Sequence, residues 1–138
     1  MTMTEKPLFE KVDCVRFYVP DLEAGLAFYR DRLGHSLIWR SEHAAGLGLP
    51  GGSAEIVIQS EDAGQEIDFK VACVEEAARR FARAGGKVIV PPFEIQIGRA
   101  VVVEDPWGSR YVLLDSSKGL LQTDDQGNIV GNIPNDEM

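Results

Sequence analysis

The feature that most constrains this chain is an internal echo. Phe17 and Phe69, Val19 and Val71, Glu23 and Glu75, and Gly34 and Gly86 form pairs that are each 52 positions apart. They coincide with a repeated order of predicted elements, and a fixed internal period is the signature of an architecture built from copies of one supersecondary unit.

Residues 12–19 alternate, with Val15, Phe17 and Val19 on one side and Cys14, Arg16 and Tyr18 on the other, which is the two-residue period of a strand. Pro20 stops it, Asp21 is a good N-cap, and Leu22, Leu26, Tyr29 and Leu33 recur at helical spacing until Gly34. Short apolar stretches at 37–39, 45–49 and 54–59, separated by turn signals, predict an antiparallel meander. The second half repeats the order. It has a strand at 66–71, a helix carrying Val74, Ala78 and Phe81 and closed by Gly85 and Gly86, and strands at 87–90, 98–104 and 109–115. One detail departs from the echo: Cys73 stands where Asp21 caps the first helix, and cysteine is a poor cap.

The expected organisation is one α+β domain at 10–117, of two tandem βαβββ modules at 10–60 and 64–117. A short arm, 1–9, precedes it. An acidic tail, 118–138, rich in Asp, Asn and Gly, is expected to be mobile or to wrap a partner, with Leu120, Leu121, Ile129 and Ile133 available for docking. Glu61, Asp62, Ala63 and Gly64 form the one obvious hinge at which modules could exchange between chains.

Composition removes several functions. With 138 residues and a net charge of -8, and with no basic run, the chain lacks the cationic surface a nucleic-acid partner requires. No apolar run approaches the roughly 20 residues of a membrane span, and the first nine residues carry no signal-peptide core. Cys14 and Cys73 form no CxxC pair, which fits a reducing compartment, so a cytoplasmic protein is expected. Gly46, Gly48 and Gly51 formally match GxGxxG, but Pro50 and a strand replace the helix a pyrophosphate would need.

The stretch from Val19 to Gly34, VPDLEAGLAFYRDRLG, resembles the first strand-helix junction of the vicinal oxygen chelate superfamily, the glyoxalase, bleomycin-resistance and dioxygenase family. Val103-Glu-Asp-Pro-Trp-Gly108 resembles that superfamily's turn before its last strand, and the likeness spans about 12–115 with the duplication included. It implies the glyoxalase/bleomycin resistance/dihydroxybiphenyl dioxygenase-like fold, with a curved sheet around a cleft, commonly completed as a homodimer. Its enzymes hold one divalent ion on four inward-facing strand positions and use it as a Lewis acid. Carried over one at a time, those positions fall on Cys14, Glu55, Glu66 and Val112. Valine cannot bind a metal, neither His35 nor His43 takes a ligand position, and a hard ion rejects a thiolate. Cys14, Glu55 and Glu66 are therefore weak metal candidates, no cofactor is assigned, and a divalent metal stays open. Glu55 depends on register, since strict symmetry with Val112 would put Ile56 there.

The same likeness places Cys14, Arg16, Glu66 and Asp68 side by side on the cleft, with an Arg16 to Asp68 ion pair serving either ligand recognition or module register. Trp39 and Trp107 are candidate stacking walls. Two readings follow. One is a protein that binds a small organic molecule without a catalytic metal; the other is a divalent-metal lyase, isomerase or dioxygenase of the same superfamily.

Overall fold

The computed structural model describes residues 6–52, 54–61 and 64–135; Asp62 and Ala63 of the expected hinge, and the ends of the arm and tail, lie outside them. Module one runs β1 (Lys11–Tyr18), α1 (Leu22–Leu26), β2 (Leu37–Arg40), β3 (Ala44–Gly48) and β4 (Glu55–Gln59). Module two runs β5 (Glu66–Lys70), α2 (Val74–Arg83), β6 (Lys87–Ile95), β7 (Gly98–Glu104) and β8 (Arg110–Leu114). The eight strands form one sheet in the order β2-β3-β4-β1-β5-β8-β7-β6, so each module contributes four strands in mirrored order.

The join has a local twofold. β1 and β5 are antiparallel, with Cys14 opposite Asp68, Val15 opposite Ile67 and Arg16 opposite Glu66. Val15 and Ile67 are also 52 residues apart, so the axis that exchanges the modules passes between them. The two modules thus pair within one chain.

Two apolar layers cover the convex side. Leu22 and Leu26 of α1 pack on Ala45, Leu47 and Ile58. Val74, Ala77, Ala78 and Phe81 of α2 pack on Val101, Val103 and Leu113. The first helix is less regular than its 3.6-residue spacing predicts: after Leu26 it widens into a π-helical turn at Ala27–Arg32, with the Leu33 amide reaching back to the Phe28 carbonyl.

The capping departure at Cys73 has a structural answer. Asp21 caps α1 locally, accepting from the Ala24 amide at 2.9 Å. Cys73 makes no side-chain cap bond to α2. The buried carboxylate of Asp115, just past β8, accepts from the Val74 amide at 2.9 Å instead, and also from the Arg99 amide and Ser117.

β6 is longer than predicted because it continues through Pro91 and Pro92, which an edge strand tolerates. Beyond 117, the stretch read as a tail forms a hairpin of β9 (Leu120–Thr123) and β10 (Ile129–Ile133). Among the described residues no helix is long and apolar enough to cross a membrane.

Candidate functional site

The concave face is built where the modules meet. Cys14 and Asp68 are each only 2% exposed. The Cys14 thiol donates to Asp68 Oδ2 at 3.3 Å, and the Arg16 Nε–H donates to the same oxygen at 3.2 Å. Arg16 Nε also lies 3.4 Å from Glu66 Oε2, so the ion pair expected from sequence is present and forms part of a three-residue group. Burial pushes the Cys14 thiol up, and the Asp68 charge pushes it the same way, so it carries its proton. Asp68 Oδ1 is buried with no hydrogen-bond partner.

Trp39 lies across β3 and reaches β4: its indole Nε1–H donates to Glu55 Oε1 at 2.8 Å. Gly46 makes this possible, since a Cβ there would sit 2.0 Å from the Trp39 Nε1. Burial pushes the Glu55 carboxyl up, the Trp39 bond opposes that, and the Asp13 charge adds to it.

Asp13 is the residue that alternation misplaces. A bulge in β1 between Val12 and Cys14 inserts it, so its carboxyl joins the charges of Asp68, Lys11, Arg16 and Lys70 instead of facing the other way. Burial first, and Asp68 second, push it up. A bulge of this kind leaves no mark in hydrophobic periodicity.

Beyond β5, module two adds an apolar cluster to the same face. Val112 packs with Ala100 and Leu114, and Ile95, Ile97 and Val102 close over them. Arg16 opposite Val57 matches Asp68 opposite Val112, so the symmetric counterpart of Val112 is Val57, not Glu55 or Ile56. The strict-symmetry expectation of Ile56 is corrected, because the parallel pairing of each module sets the register, while Glu55 lies on this face as its alternation predicts. Trp107 is not brought to this face: it is 87% exposed on the β7–β8 turn, its amide bonded to Asp105.

The residues at the superfamily's ligand positions do not fit a divalent ion. Cys14 is a protonated thiol bonded to a carboxylate, Glu55 is bound by the Trp39 indole, Glu66 is paired with Arg16, and Val112 is apolar. Among the described residues no three His, Cys, Asp or Glu side chains are grouped so as to hold a metal. What the face offers is a half-open polar patch, with Arg16, Glu55 and Trp39 beside an apolar wall.

Comparison with known proteins agrees with this architecture. Solved structures similar to it include methylmalonyl-CoA epimerase from Mycobacterium tuberculosis, at 20% identity and a TM-score of 0.67 over 82% of this chain and 92% of that one. The hypothetical protein BH1468 from Bacillus halodurans C-125 matches at 18% identity and a TM-score of 0.67, over 83% of this chain and 98% of that one. Homoprotocatechuate 2,3-dioxygenase from Brevibacterium fuscum matches at 22% identity and a TM-score of 0.61, over 83% of this chain and 39% of the longer enzyme. At these identities the likeness is one of fold. No curated protein matches the sequence. The family model of the Glyoxalase/Bleomycin resistance protein/Dioxygenase superfamily matches residues 11–113, and the chain belongs to that superfamily.

Proposed function

We propose that this protein binds a small organic molecule on its concave face without a catalytic metal. The observation that carries the reading is the use made of the four ligand positions: a bonded thiol, an indole-bound carboxylate, an ion-paired carboxylate and a buried valine. The remaining surface suits recognition. It combines an indole, an apolar wall and a few fixed polar groups, the usual makeup of a small-molecule site. The ligand would lie between the Trp39 ring and the Val102 side, with Arg16 and Glu55 fixing its orientation.

A homodimer in a reducing compartment is part of this reading. Phe28, Leu33 and Ile67 are large apolar side chains left open, and Cys14 and Cys73 are both free thiols.

The test is elemental analysis of protein purified without added metal, repeated on Glu66→Ala, followed by titration of Trp39 fluorescence in Trp107→Phe with a panel of small aromatic and polar compounds. Substoichiometric metal indifferent to Glu66, together with a saturable fluorescence change, is expected. One equivalent of metal per chain that disappears in Glu66→Ala would overturn the reading.

A further inference from the structure

The hairpin β9–β10 lies beyond residue 113, where the family match ends, and it touches both ends of the sheet. At its tip, the Arg40 amide on edge strand β2 donates to the Gly127 carbonyl at 2.7 Å, and Arg40 and Asn128 form a parallel bridge. At its base, it holds the β6–β7 turn at the opposite edge. The Lys118 amide donates to the Ile97 carbonyl, and the Asn132 side chain donates to the Gln96 and Lys118 carbonyls.

Distance decides what this means. Seven strand spacings make a flat eight-stranded sheet about 34 Å wide, whereas a five-residue strand reaches about 17 Å. One short hairpin can meet both edges only if the sheet is rolled until they approach, and the hairpin then closes the ring. The inside of that ring is the concave face carrying Trp39, Glu55 and Arg16.

The two attachments differ in strength. The base is fixed by the bonds above, by Lys118 to Glu94 at 2.6 Å, and by Asn135 to the Ser116 carbonyl. The tip is a tight turn in which Asp124 Oδ1 accepts from the Gln126 and Asn128 amides, so it moves as one piece. Its hold on β2 is the Arg40 to Gly127 bond and the Arg40–Asn128 bridge, with Gly127 set so near Leu37 that a Cβ there would meet it.

We propose that the hairpin is a movable wall that governs the passage of small molecules to the concave face, hinged at Lys118 and Asn132 and latched at Arg40 and Gly127. The proposal rests on the reading of that face as a ligand site, but its test needs no ligand. Acrylamide, a small neutral quencher, reports access to Trp39 in full-length Trp107→Phe, where Trp39 is the single tryptophan.

Two further changes work the latch. Arg40→Cys with Asn128→Cys, in a Cys73→Ser background, joins a directly paired position and locks the tip when oxidised. Gly127→Val unlatches it, because Gly127 has φ +85 and a Cβ there would meet Leu37 at 3.1 Å. Oxidation is expected to lower the quenching constant about twofold with full return on reduction, and Gly127→Val to raise it about twofold. Equal quenching in the oxidised and reduced forms, with the disulfide verified by mass, overturns the proposal. If the cysteine variant does not fold by circular dichroism, unchanged quenching in a folded Gly127→Val overturns it instead. A face that binds no compound in the fluorescence titration would still show both quenching changes, so the two readings fail separately.

Discussion

On the convex side the two modules are built alike. Ile58 and Leu113, Ala45 and Val101, and Leu47 and Val103 occupy equivalent places by strand register, and all six are fully buried. On the concave side they diverge. Gly46 in module one stands where Val102 stands in module two, and Glu55 and Trp39 fill the room the glycine leaves, whereas Val102, Val112 and Ile95 fill the other half with apolar atoms. Covering a sheet with a helix makes the same demand on both copies. The inner face has no such common demand, so there the copies were free to separate into a polar patch and an apolar wall.

The largest effect that tests this division is expected at the seam. Arg16→Met removes the cation beside a carboxylate that is 2% exposed, leaving Asp68 buried and uncompensated. Since Arg16 itself is one-third exposed, we expect a loss of about 3 kcal/mol, at the low end for a broken buried pair. Urea unfolding measures it. A loss under about 0.5 kcal/mol would show that the modules do not depend on this pair.

The helix caps give a second contrast. Asp115→Ala removes bonds to the Val74 and Arg99 amides and to Ser117, and should cost about 2 kcal/mol or more. Asp21→Ala removes one exposed cap bond and should cost about 1 kcal/mol. Burial alone would push Asp115 up, but these bonds hold its carboxyl below the usual range. Its contribution is therefore complete above the ordinary carboxylate pKa of about 3.9 and is lost as pH falls through the lower folded value. The gap between the two variants should close in acid melts; a gap that persists there would assign Asp115 a role other than carboxylate capping.

Gly46→Val makes module one imitate module two. The new side chain occupies the space of the indole, so Trp39 must leave Glu55. A loss of about 1.5 kcal/mol and a changed near-ultraviolet signal from Trp39 are expected. Wild-type stability with an unchanged spectrum would mean that the indole does not rest on β3.

These contrasts also show what could be read from residue order alone. The duplication and the element order of each module follow from period and alternation, which local sterics enforce, and the Arg16 to Asp68 pair follows once the family likeness sets β1 beside β5. Three features do not. The cap of α2 comes from Asp115, 41 residues after the Val74 amide it serves, and no local motif signals a partner at that separation. The counterpart of Val112 is Val57 because the β6–β7 hairpin is longer than the β2–β3 hairpin, which shifts one register against the other. The docking of the hairpin depends on how far the sheet rolls, a property of all eight strands together.

Asp13 is the subtlest of these and gives the smallest effect. The β1 bulge turns its carboxyl into the group of charges around Asp68, and burial with that neighbour pushes it up. An acid whose folded pKa is raised favours the folded state below its unfolded value, near 3.9, and that advantage is lost as pH rises through the folded value. At neutral pH the ionised Asp13 is therefore a small burden, and Asp13→Asn should stabilise the protein by about 0.5 kcal/mol. The gain should shrink to nothing in melts below pH 3.9 or so. If Asp13→Asn instead destabilises at neutral pH, the carboxylate is bound by a favourable contact, and the polar half of the concave face is more tightly organised than its mixed charges suggest.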